Sequence, residues 1–172
     1  MKIQLSDHFD YKRLLRFVMP SIIMMVFTSI YGVVDGLFVS NFVGDIAFAA
    51  INLIMPVSSI LGGVGFMLGT GGSALVAKTM GEQKGELANR YFTMMIWVSF
   101  IVGIVLSIVG LAVMKPIAVL LGATDGMLSH CVLYGSITMG FTVSFMLQYA
   151  LQAFLIAAEK PNLGLVTTVA AG

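Results

Sequence analysis

Asp35 is the only charge in the 22-residue apolar run FVMPSIIMMVFTSIYGVVDGLF, Phe17 to Phe38. A carboxylate is costly to place in hydrocarbon, so such a residue normally faces a cavity or a partner and marks an ion or proton path. Near the end of a membrane span it can instead reach headgroup water, and position alone leaves both readings open. A second run with chemical potential is GTGGSALVAKTMGE, Gly69 to Glu82. From Gly72 to Thr79 it fits the phosphate-loop pattern G-x-x-x-x-G-K-[ST] except that Ala77 replaces the second glycine, and GTGGSA fits G-x-G-x-x-G/A. Either pattern carries phosphate chemistry only between a strand and a helix N-terminus.

The remaining polar residues are scattered. Tyr31, Asn52, Ser58, Gln148, Tyr149 and Gln152 are candidates for lining an aqueous cavity, with interhelical hydrogen bonding as the plainer use. Gln148 and Gln152, four residues apart, share a helix face. The 13 methionines offer an adaptable apolar surface or ordinary filler. The one cysteine, Cys131, rules out an internal disulfide, and no nucleophile-base pair or metal-ligand cluster points to an enzyme. No cofactor is implied.

The composition decides what positions these groups. Of 172 residues 59% are hydrophobic and only 10% charged, with a mean hydropathy of +1.01. Soluble domains carry about 25% charge. About 20 apolar residues cross a bilayer as a helix, and the gaps between charges divide the chain accordingly. The reading is all-α, a polytopic membrane helix bundle. A cytoplasmic segment covers residues 1–16 and the transmembrane bundle 17–172, with spans at 17–40, 47–77, 91–114 and 131–158 and a truncated fifth from 161.

The second run exceeds one perpendicular crossing, which tilt or a kink at Pro56 absorbs. The third ends at Lys115-Pro116, and Pro20 is read as occupying the tolerated first turn of its helix. A solvated inner connector follows Lys78, with a short helix from about Glu86, and LLGATDG at 120–126 is an outer turn. The first span is too long for the apolar region of a cleaved signal peptide, despite the basic flank Lys12, Arg13 and Arg16.

With the N-terminus inside, the inner segments hold Lys2, Lys12, Arg13, Arg16, Lys78, Lys84, Arg90 and Lys160, and the outer loops only Lys115. The positive-inside rule therefore predicts a cytoplasmic N-terminus in the cell membrane. GTGGSALVA then becomes the inner end of a membrane helix, not a phosphate loop. Gly65, Gly69, Ser73 and Ala77 recur every four residues, a small-residue face that lets a neighbouring helix approach closely.

Three blocks, IYGVVDGLFVSNFVGDIAFAAINLIMP, GTGGSALVAKTMGEQKGELANR and LQAFLIAAEKPN, in this order and spacing resemble the multidrug and toxic compound extrusion (MATE) family of efflux transporters, from about Pro20 to the end. The resemblance implies the first four spans and part of a fifth of an N-lobe, in a protein of two six-helix lobes. It places Asp35 on the family's cation-site carboxylate, where H⁺ or Na⁺ would bind as coupling ion; no metal beyond that Na⁺ is expected. It further implies lipid bilayer and small-molecule drugs as partners, no nucleic acid, and a need for C-terminal helices or a second chain. One departure is AAEKP, where the family usually has a glycine before its lysine-proline element. Two rivals are a lipid-linked oligosaccharide flippase of the same superfamily and a non-transporting membrane fragment. The absence of Lys or Arg inside any predicted span argues against the flippase.

Overall fold

The computed structural model describes residues 11–171, so Lys2, His8 and Gly172 lie outside the described residues. Six helices follow one another: α1 (Tyr11–Phe42), α2 (Asp45–Gly81), α3 (Gly85–Leu120), α4 (Asp125–Gly140), α5 (Thr142–Ala157) and α6 (Pro161–Ala171). No strand occurs among the described residues. Three helices, α1 to α3, are long and apolar enough to cross a membrane, and α4 with α5 qualifies as a fourth span bent by 50°.

The helices are apolar nearly all round, and large side chains such as Phe66, Trp97, Ile108 and Val33 remain more than half exposed. A face of this kind is stable against lipid tails. The long helices overrun the hydrocarbon: α2, with 37 residues, is about 55 Å long. The excess lies toward its charged end turns, which hold Asp45 and Lys78.

Several boundaries differ from the sequence reading. Helix α1 begins at Tyr11, so Pro20 lies in its interior and is buried, not in a first turn. Helix α3 starts in the supposed connector and continues through Pro116 to Leu120. Proline is tolerated inside membrane helices because neighbouring groups re-satisfy the backbone. The fourth span starts at Asp125 and breaks at Phe141.

Helix α2 is the hub, packing against α1, α3, α4 and α5. Toward its N-terminal end Ala50 and Ile54 form a buried cluster with Met114, Ala118, Cys131 and Met139. Toward its C-terminal end Val76 packs with Ala88 and Phe154, flanked by Tyr91 and Met95. Helix α1 touches α2 and α6 and contributes little buried surface beyond Pro20 and Met24.

Three helix ends close in the same way. After α2 the Lys84 N–H reaches the Thr79 carbonyl and the Gln83 N–H the Met80 carbonyl. After α3 the Ala123 and Gly122 N–H groups bond Ala118 and Val119, and after α5 the Lys160 and Glu159 N–H groups bond Leu155 and Ile156. These paired bonds define the Schellman motif, whose pivot residue must be left-handed. The pivots are Gln83 (φ 62°), Gly122 (φ 98°) and Glu159 (φ 59°). Two of the three lack the glycine that accommodates this conformation without cost. At Glu159 the turn therefore keeps a glycine-type geometry with a side chain in it.

Replacing Gln83 by glycine should therefore stabilise the chain by about 1 kcal/mol, the cost of a left-handed non-glycine residue. In detergent this reads as a rise of roughly 2–4 °C in Tm; an unchanged or lower Tm would mean that the turn is not strained.

Candidate functional site

Two grooves lie on either side of the α2–α5 pair and share Phe66 and Tyr149. The larger, about 710 Å³, is walled by α1, α2 and α5, including Met24, Thr28, Thr70, Ser73 and Gln152. The other, about 480 Å³, lies between α2 and the bent α4–α5 pair. Both exist because α2 and α5 come close without side chains between them. A Cβ at Gly69 would stand 2.9 Å from the Ala150 Cα and one at Gly65 3.2 Å from the Met146 Cα. One at Gly62 would meet the Tyr149 ring at 3.5 Å. Ser73 is buried, Ala77 is half-buried, and Gly72, outside the four-residue stripe, is equally tight against Met95 of α3.

The polar chemistry of the larger groove follows from helix hydrogen bonding. Thr28 and Ser29 donate their hydroxyls to the Met24 and Met25 carbonyls at 2.9 Å. Thr70 donates to Phe66 at 2.8 Å and Ser73 to Thr70 at 3.0 Å. With each proton committed to its own helix, the oxygens keep lone pairs as acceptors. No charged side chain lines the groove. An apolar wall with scattered acceptors fits an apolar ligand that carries N–H donors or a positive charge.

Gln152 ties the groove together. Its Nε2 donates to the Met24 Sδ at 2.6 Å and to the Thr168 Oγ1 at 3.4 Å, and Thr168 also donates to Met24 at 3.2 Å. One amide thus links α1, α5 and α6.

Asp35 lies beyond the groove on α1. It is exposed and has no hydrogen bond or ion pair among the described residues. Ser21, Thr28 and Asp35 are spaced by seven residues, two helical turns, so Asp35 continues the face that lines the groove about 10 Å past Thr28. A Cβ at its neighbour Gly36 would meet the ring of Phe48 at 3.6 Å. Of the other candidates, Tyr149 lines both grooves, Gln152 the larger and Ser58 the smaller, where the Ser58 hydroxyl is buried without a partner. Tyr31 and Gln148 are exposed and line neither groove. Asn52 is exposed and donates to the Phe48 carbonyl of its own helix at 2.9 Å. No group of three His, Cys, Asp or Glu converges among the described residues. The sequence reading missed Ser21, Thr28 and Thr70, although the seven-residue spacing to Asp35 was available as a signal for the first two.

The MatE family model matches residues 20–171 of this chain. The chain is 23% identical over 156 residues to "Multidrug export protein MepA" of Staphylococcus haemolyticus (strain JCSC1435), covering 91% of this chain and 34% of that protein. For the proteins of the same name from Staphylococcus aureus (strain MRSA252) and Staphylococcus saprophyticus, the values are 23% over 160 and 24% over 161 residues, each covering 93% of this chain and 36% of the relative. The chain spans about a third of the length of the curated relatives it matches. No solved structure gives a significant match.

The α2–α5 approach should tolerate no side chain at Gly69. Gly69→Val is expected to destabilise the bundle by about 1–3 kcal/mol, because the contacting atoms belong to backbone that cannot step aside. Gly71→Ala, two residues on, has open space and should leave the melting temperature in detergent unchanged. Equal melting temperatures for Gly69→Val and the parent would refute the close contact.

Proposed function

The chain belongs to the MATE family, and from that membership we propose that it forms the first helices of a secondary active multidrug efflux antiporter. In this reading the N-terminus is cytoplasmic, the bilayer is the cell membrane, and the bundle is completed by further helices or a second chain. The supporting observation is the placement of Asp35 on the same α1 face as Ser21 and Thr28, which line an uncharged groove of about 710 Å³. The relatives' name, multidrug export protein, points the same way.

The mechanism rests on charge. The groove lacks a counter-charge of its own, so an ionised Asp35 supplies the attraction for an apolar cation resting against Tyr149, Thr28 and Gln152. Binding of H⁺ or Na⁺ at the carboxylate removes that attraction and favours release outward. Release of the ion inside restores it. The ion drives the cycle only through its different affinity for the two facing states. Rocking of one half-bundle against the other would carry Asp35 and the groove between the two sides. An anionic lipid-linked substrate would find no Lys or Arg lining either groove.

Asp35→Asn in the intact protein should abolish ion-coupled efflux of a fluorescent organic cation from energised cells, with membrane expression unchanged. Expression in a strain lacking other efflux pumps and a quantitative blot measure both. Undiminished efflux at normal expression would remove Asp35 from the mechanism.

A further inference from the structure

The fourth span bends by 50° at Phe141, and no proline lies near the bend. A break within hydrocarbon frees backbone groups, which must find other partners. The partner here comes from another helix: the Ser107 hydroxyl of α3 donates to the Met139 carbonyl at 2.7 Å. On the bend itself Thr142 donates its hydroxyl to the Thr138 carbonyl at 3.3 Å. Ordinary backbone bonds hold the flanks, from the Phe141 N–H to Ile137 and from the Phe145 N–H to Phe141. Every other Ser or Thr hydroxyl bond to a carbonyl among the described residues reaches only three or four residues back along the chain. Among them Ser107 alone bonds a carbonyl distant in sequence.

The surroundings of Ser107 match this role. Gly103 and Gly110, about one turn to either side, receive the two limbs of the bend. A Cβ at Gly103 would stand 3.0 Å from the Val143 Cα, and one at Gly110 would collide with the Met139 side chain. Met139 and Thr142 are each 1% exposed, so the bend is embedded and not frayed. Gly140 is not its steric cause, since a Cβ there would meet open space. On the side away from α3 the bent pair forms one wall of the smaller groove, through Tyr134, Thr138, Thr142 and Phe145.

We propose that Ser107 is a positioning residue, a hydrogen-bond clip that holds the α4–α5 span bent and thereby sets the width of the groove between that span and α2. In a straight helix the Met139 carbonyl would accept the Val143 N–H, four residues on. At the bend no Val143 N–H bond to this carbonyl forms, and the Ser107 hydroxyl is the partner it has instead. Without that hydroxyl the carbonyl of the bent span is left unpaired, and straightening, which returns it to the Val143 N–H, becomes the favoured state. This holds whether or not Asp35 couples an ion.

The two states differ in a length that can be measured. Each limb has 16 residues, about 24 Å, so a straight span measures about 48 Å and one bent by 50° about 44 Å. Spin labels at Gly126→Cys and Ala158→Cys, both exposed, report that distance by electron–electron resonance in the intact protein in nanodiscs; the native Cys131 is fully buried and stays in place. Ser107→Ala should lengthen the distance by about 4 Å, the difference between straight and bent limbs. Ser107→Thr, which keeps the hydroxyl, should retain the parent distance. If Ser107→Ala gives no folded protein, Ser107→Gly, which also lacks the hydroxyl and adds no site for the label, takes its place in the comparison. A parent-like distance without the hydroxyl would overturn the proposal, and so would equal lengthening in the Thr variant.

Discussion

Within a bilayer, apolar side chains gain nothing by leaving lipid for one another, so helices associate only where their surfaces approach closely enough for dispersion contact and directional bonds. The α2–α5 crossing at Gly65 and Gly69 is the point at which this chain meets that demand. Its backbones pass with no room for even a methyl group at Gly69. Helix α2 also carries α1, α3 and α4, so the position of every other long element depends on this crossing. The two grooves are its by-products. Phe66 and Tyr149, which line both, mark the boundary between them.

A second constraint is the disposal of polar protons. The hydroxyls of Thr28, Ser29, Thr70 and Ser73 donate to carbonyls one turn back, which silences them as donors and leaves the wall of the larger groove acceptor-rich. Ser107, Gln152 and Thr168 instead bond across helices. Ser107 spends its proton on α4, and Gln152 spends its amide on α1 and α6. These are the points where one helix learns the position of another, because a dispersion contact lets helices slide whereas a hydrogen bond fixes a register.

Much of this architecture was legible in the residues. Charge spacing located the long helices, and recurrence of small residues marked the face on which α2 meets α5. Helix ends were less legible because charge was used as their boundary. Lys78, Glu86 and Lys115 all lie within helices, since a helix continues past the hydrocarbon wherever water or headgroups receive its side chains. The bend at Phe141 was not legible at all. Its cause, Ser107, lies 32 residues from Met139 in the chain, and no local pattern encodes a bond of that separation. The groove hydroxyls of α1 were half legible: Thr28 looks like ordinary filler until the seven-residue step to Asp35 is counted.

Asp35 and helix α1 have to be considered together. Helix α1 is the least buried of the long helices, meeting its neighbours through Met24, Pro20 and the Gln152–Thr168 pair. A carboxylate on a deeply packed helix would be held in one environment, with its charge permanently compensated or permanently suppressed. On a helix that buries little of its surface, an exposed carboxylate can change its surroundings at small cost. Asp35 is such a group, 11 residues beyond Met24 and about 16 Å along the axis. A coupling group must meet two environments in turn, since an ion bound equally well in both states can drive nothing. The sparse burial of α1 and the exposure of its carboxylate thus answer one requirement, and the proposed transport role of Asp35 rests as much on how lightly its helix is packed as on its charge.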